Sequence, residues 1–147
     1  MEITRHFTVT TTIVHKNKVL LHLHKKLGIW IPIGGHIERD ELPQEAAVRE
    51  AKEESGLDVV LYNPDPKINY SNNKLLIRPM HIFLQKINEF HEHINFTYYA
   101  IANTFQLSPE DNKIEDLKWF TAKEIIDNDF WDDVKKTSIE AINMLEK

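Results

Sequence analysis

The chain has no cysteine, which excludes disulfides, a thiolate metal site and a cysteine nucleophile. It has no net positive charge either: 18 Lys and Arg stand against 23 Asp and Glu, giving a formal −5 and a pI near 5.9. That balance argues against a general binder of nucleic acid or of anionic membranes, which present basic surfaces. A small phosphorylated substrate stays open, because metal ions can supply positive charge locally. No apolar run approaches the roughly 18 residues of a membrane span, and the start, MEITRHFTVTTTIV, lacks the basic-then-apolar layout of a signal peptide. The cytoplasm is therefore the expected compartment. There is also no internal repeat, low-complexity tract or Gly/Ser-rich linker, so residues 1–147 read as a single domain, long enough to bury a core.

What the chain does have is an acidic helix. In residues 35–57, GHIERDELPQEAAVREAKEESGL, Pro43 opens a helix, Gly56 closes it, and Ala46, Ala47, Val48 and Ala51 are good or acceptable helix formers. Glu50, Glu53 and Glu54 sit at i, i+3 and i+4 and so share one face. Like charges at this spacing repel, and Glu54 also meets the negative end of the helix dipole. A hard divalent cation reverses the sign of that cost, because Mg²⁺ or Mn²⁺ wants oxygen ligands and is usually shared between a few carboxylates and a substrate phosphate. Alanines 46 and 47 flank the acidic sector and leave room for a ligand, and Arg49 lies one turn before Glu53, able to pair with it. A solvated acidic face is the alternative that the REAKEE run alone leaves open.

The wider spacing decides between them. Gly35, five residues, Glu41, seven residues, Arg49-Glu50, Ala51, one residue, Glu53-Glu54, one residue, Gly56 and Leu57 resembles the signature box of the Nudix (MutT-like) hydrolases, with seven fixed identities over 23 residues. The approach to the box, Trp30 to Gly35, resembles the family's W-x-x-P-G-G with proline at 32 and Ile33 in its usual place. Leu42 stands where a capping Ser or Thr is common, and Asp40 is expected to cap instead. The Gly34-Gly35 pair allows backbone geometry closed to other residues and close approach of a ligand.

The resemblance implies an α/β fold, a Nudix-type α/β/α sandwich with a mixed β-sheet between helices. It further implies a metal-dependent hydrolase that cleaves the pyrophosphate linkage of a nucleoside diphosphate derivative. The cofactor implied is Mg²⁺ or Mn²⁺. Glu53 and Glu54 are then metal ligands, Glu50 a ligand or the general base, the Gly35 carbonyl a further ligand and Glu38 an additional acidic residue reaching from the loop. Arg49 orients a carboxylate, and Glu41 supports the loop. Glu92, His93 and Glu115 are the downstream candidates for base or substrate contact.

Substrate marks known in some subfamilies fall on Asn73 and Lys74, neither the expected proline nor the expected tyrosine, which leaves a nucleoside triphosphate or related nucleotide as the default. Tyr70, Phe83, Tyr98 and Trp119 are aromatic residues that can stack on a base, although aromatics at strand spacing more often serve the core. The expected partner is a small-molecule nucleotide, with neither nucleic acid nor membrane; a homodimer is the protein assembly considered. The alternative function is a non-catalytic nucleotide-binding or regulatory module on a Nudix scaffold, which commonly loses box carboxylates; none is lost here.

Elsewhere, residues 7–14 and 19–24 read as a hairpin about the turn at 15–18, which places His22 and His24 on one side of a strand. Such a pair, without a third ligand nearby in sequence, is more often surface than metal site. Residues 58–61, 75–87, 96–107 and 117–120 read as strands. Residues 88–95, NEFHEHIN, read as a loop, with His91, Glu92 and His93 close together. Thr121 and Glu124 form a capping box, and residues 131–145 an amphipathic closing helix.

Overall fold

The structure, a computed structural model, describes residues 2–110 and 116–146. Its centre is β1 (Thr4–His15), whose run of Thr, Val and Ile suits a pleated surface packed on both sides. β1 turns through Lys16 and Asn17, both with positive φ of 45° and 63°, into antiparallel β2 (Lys18–His24). This is the geometry that two-residue hairpin turns require. β3 (Ile29–Ile31) pairs with β2, and β4 (Ile33–His36) pairs with β1 on the other side of the Pro32 break. The helix α1 (Pro43–Ser55) follows, then β5 (Val60–Leu61), β6 (His81–Asn88), β7 (His91–Ile101), β8 (Leu117–Thr121), α2 (Ala122–Asp127) and α3 (Asp132–Leu145).

Among the described residues, eight strands join one mixed sheet, in which β7 runs parallel to β1 over its whole length and every other pairing is antiparallel. Alternate residues of the central strands feed opposite layers. Val9 and Tyr98 pack with Ala46 and Ala47 of α1, and Ile13, Leu20 and Ile33 with Ala51. Val14, Val19, Leu21 and Tyr99 pack instead against Ile125 of α2 and Val134, Ala141 and Ile142 of α3. The result is the α/β/α sandwich expected. Each fully buried aliphatic side chain contributes about 1.5–3 kcal/mol, and the double-sided layering is what fixes the register of Tyr98 and Tyr99.

Three local expectations are corrected. The α1 N-cap is Leu42, not Asp40: Leu42 has no side-chain acceptor, and its own N–H donates to Glu45 Oε1 at 2.8 Å. The strand expected from residue 75 begins only at His81, because the Ile77 N–H is taken by the Gln44 side chain at 2.8 Å and Pro79 has no N–H to give a ladder. Residues 91–95 are not loop. They open β7, since the first residues of β1 offer them a parallel partner, and only Glu89 and Phe90 remain as the turn.

Candidate active site

The acidic face of α1 points into the protein. Glu50 and Glu54 are each only 9% exposed, while the Glu53 side chain, at 41%, reaches solvent. Ala46 and Ala47 do not make room for a ligand. They are fully buried against the sheet, and their small size lets the helix approach it closely. Gly56 closes the helix with φ +79°, and its N–H donates to the Lys52 carbonyl.

Opposite Glu50 stands Gly35 on β4. A Cβ added there would lie 2.3 Å from Glu50 Oε1 and 2.9 Å from Oε2. Neither Gly34 nor Gly35 has positive φ, so the glycine at 35 serves close approach and not an unusual turn.

Arg49 ties the surrounding acids together. Its Nε and Nη2 donate to the two oxygens of Glu41 at 2.7 and 2.9 Å. Nη1 donates to Glu50 Oε1 at 2.9 Å and Glu53 Oε2 at 3.2 Å, and Nη2 to the His36 carbonyl at 3.1 Å. Glu38, with a side chain 69% exposed, is held only at 3.9 Å. Glu41 in turn accepts the Glu38 N–H at 3.1 Å, fixing the loop. The hydrogen bonds from Arg49, chiefly, hold the Glu41 carboxyl below the usual carboxylate range, and Glu41 and then Glu50 raise Arg49 further above neutrality. The donor set around Gly35 is thus hard carboxylate oxygen, oriented by one guanidinium, and it suits Mg²⁺ or Mn²⁺.

A cleft of about 890 Å³ adjoins this cluster, its wall formed in part by Gly34, Gly35, His36, His22, His24, Phe83 and His93. His22 and His24 therefore face a cavity, and burial, then His24, lowers the His22 pKa. Of the downstream candidates, the structure brings His93 to the cleft. Burial first, then the His36, His91 and His6 rings, hold its pKa down. Glu92 alternates to the other face of the sheet, where it accepts from Arg5 Nε at 2.9 Å. Glu115 lies outside the described residues. Among the aromatics, Phe83 lines the cleft, Tyr98 is core, Trp119 donates to the Phe105 carbonyl at 3.0 Å, and Tyr70 is exposed on residues 63–76, outside the lining of this cleft. Thr8, Asn95 and Thr97 complete the cleft floor through a hydrogen-bonded chain of two 2.9 Å contacts. They carry no local sequence signal, because β1 and β7 meet only in the fold.

The NUDIX domain family model matches residues 4–141. The chain belongs to the Nudix family. It is similar over 98% of its length, at 44% identity and a TM-score of 0.88, to the whole of a crystallised NUDIX-family hydrolase from Clostridium perfringens. The same fold recurs in a MutT protein from Methanosarcina mazei Go1 (16% identity, 100% of this chain and 99% of that one, TM-score 0.70). It recurs also in the NUDIX domain of Shewanella oneidensis NrtR, solved with ADP-ribose (18% identity, 97% and 89%, TM-score 0.64). This Nudix chain is accordingly a pyrophosphohydrolase, and the cluster around Gly35, Arg49 and Glu50 is where its signature residues converge. Among the described residues no helix is long and apolar enough to cross a membrane.

Proposed function

We propose that this Nudix hydrolase cleaves the pyrophosphate linkage of a nucleoside diphosphate derivative, a nucleoside triphosphate or related nucleotide, using Mg²⁺ or Mn²⁺. Glu50, Glu53, Glu54 and the Gly35 carbonyl would hold the ion, with Glu38 joining from the loop. When bound, such an ion neutralises phosphate oxygens and lowers the pKa of water. The observation that carries this reading is the Gly35–Glu50 approach, which leaves carboxylate oxygens where a side chain would otherwise stand.

The chain's own residues do the rest. Arg49 fixes the orientation of Glu50 and Glu53 through one guanidinium, and Glu41 fixes Arg49. His93 and Phe83 line the cleft wall, which supports a role in substrate contact, His93 through a ring nitrogen and Phe83 by stacking on a base. Glu92 is less suited to act as base, because its carboxylate is engaged by Arg5.

A second copy of the chain is the proposed protein partner. Phe7, Ile82 and Leu84, 56%, 62% and 63% exposed, lie on one face of the sheet beside α1, where no helix covers them. The cytoplasm remains the expected compartment.

The test is product release from a panel of nucleoside triphosphates, nucleoside diphosphate sugars and ADP-ribose, with Mg²⁺ or Mn²⁺. ADP-ribose belongs there because the Shewanella domain was solved with it. Metal-dependent release from one class names the substrate. Metal binding without any release would favour the non-catalytic module.

A further inference from the structure

Apart from the carboxylate cluster, four histidines from three strands meet beside the same cleft, whose wall includes His36 and His93. His6 on β1, His36 on β4, and His91 and His93 on β7 are brought together by the parallel β1–β7 register, which sets His6 opposite His93, and by the β1–β4 register, which sets His36 opposite Thr8 two residues on. His91 Nε2 lies 2.7 Å from His6 Nδ1. The His36 and His93 rings are 5.1 Å apart, His91 and His93 4.8 Å, and His6 and His36 5.7 Å, all between centroids. Ligand atoms of His6, His91 and His93 all lie within 4.8 Å of one another, and His93 Nε2 is buried with no hydrogen-bond partner.

We infer that His6, His91, His93 and His36 form a binding site for a borderline divalent transition ion of the zinc class, distinct from the carboxylate site for Mg²⁺ or Mn²⁺. The donor set is the reason. Imidazole nitrogen suits Zn²⁺, Ni²⁺ or Cu²⁺ and not Mg²⁺, and among the described residues the cluster is of histidines alone; Glu92, between His91 and His93, turns to the opposite face and pairs with Arg5.

The spacing fits as well. Zinc–nitrogen bonds of about 2.0–2.1 Å put two tetrahedral ligands roughly 3.3 Å apart, so small side-chain rotations gather the three nitrogens around one ion. An ion there would replace the proton shared between His6 and His91 and give His93 Nε2 a partner. His36 supplies a fourth nitrogen or leaves that position open toward the cleft, whose wall His36 and His93 form.

The test is Zn²⁺ and Co²⁺ binding to metal-free full-length protein, in the presence of excess Mg²⁺ to fill the carboxylate site. One equivalent of Zn²⁺ is expected to remain bound, and Co²⁺ to give the visible absorption of a four-coordinate nitrogen site. The double variant His6→Asn/His91→Asn should weaken Zn²⁺ binding by about 100-fold or more, and Glu53→Gln should leave it unchanged. Histidine side-chain NMR of the wild type gives a readout independent of any variant's folding: resonances of His6, His91 and His93 should move together on adding Zn²⁺. No bound Zn²⁺, binding untouched by the double variant, loss in Glu53→Gln, or unmoved resonances of these three histidines would each overturn the assignment.

Discussion

Gly35 stands so close to Glu50 that a Cβ on the glycine would lie 2.3 Å from the carboxylate oxygen. Strand β4 and helix α1 are held at this distance by the alanine face of the helix, Ala46, Ala47 and Ala51, all fully buried. Small residues on one stretch of α1 thus bring the acidic stretch of the same helix to the cleft.

Gly35→Ala must therefore push β4 from α1 or turn Glu50 aside. The atoms in the way are the carboxylate end of Glu50, so turning that side chain absorbs much of the clash. The loss of stability, visible as a lowered thermal midpoint, should stay below the roughly 1–3 kcal/mol of core overpacking. Hydrolysis should fall much further than stability does, because the displaced group is a proposed metal ligand. Alanine at 35 with full turnover would show that the close approach has no catalytic part.

Glu41 touches the rest of the site through Arg49 and the Glu38 N–H. Glu41→Gln keeps the shape but removes the charge that holds the guanidinium, and partners of metal ligands typically contribute 10–100-fold, so a loss of about that size in kcat is expected. Steady-state kinetics would check it. A change confined to KM would assign Glu41 to substrate binding instead.

On the opposite layer, Tyr99 donates to Glu140 Oε1 at 2.7 Å, and His81 Nε2 lies 2.7 Å from the same oxygen. The Tyr99 hydrogen bond, chiefly, holds the Glu140 carboxyl below its ordinary value of 4.5. A depressed carboxyl pKa stabilises the fold above the unfolded-state pKa, and that contribution is lost as pH falls through the folded-state value. Denaturant melts of wild type and Glu140→Gln should thus differ most above about pH 4.5 and converge below it. A difference that grows on acidification would contradict the pairing.

Leu84→Lys introduces a charge into the exposed apolar face shared with Phe7 and Ile82. If a second copy covers this face, sedimentation velocity should show the wild type as a dimer and the variant as a monomer. A wild-type monomer at tens of micromolar removes the proposed assembly.

Local chemistry made much of the box readable in the chain itself. Pro43 and Gly56 bound α1 where their backbone preferences place them, and the Arg49–Glu53 pair follows from one helical turn. The same holds for the Lys16-Asn17 hairpin and the Thr121–Glu124 capping box. What could not be read depends on partners distant in sequence. Residues 91–95 are strand because they lie between two partners, β6 across the Glu89-Phe90 turn and Thr4 to Thr8 of β1, 87 positions away; the second of these has no trace in the local sequence. For the same reason the alternation that separates His93 from Glu92, and the meeting of His6 with His91 and His93, carry no local pattern. Ala46 and Ala47 were legible as small, but the choice between a ligand and the sheet as what fills the space beside them belongs to packing.

The most direct measurement compares wild type with Glu53→Gln in a metal-dependent turnover assay on the nucleotide substrate that the panel identifies, alongside their thermal unfolding. Glu53 is the most accessible of the three helix carboxylates, so its amide should leave the unfolding midpoint in place. Turnover with Mg²⁺ or Mn²⁺ should fall by at least about 100-fold, the scale of losing one charge-stabilising group. Undiminished turnover in a folded Glu53→Gln protein would contradict the assignment of the α1 carboxylates as the metal site.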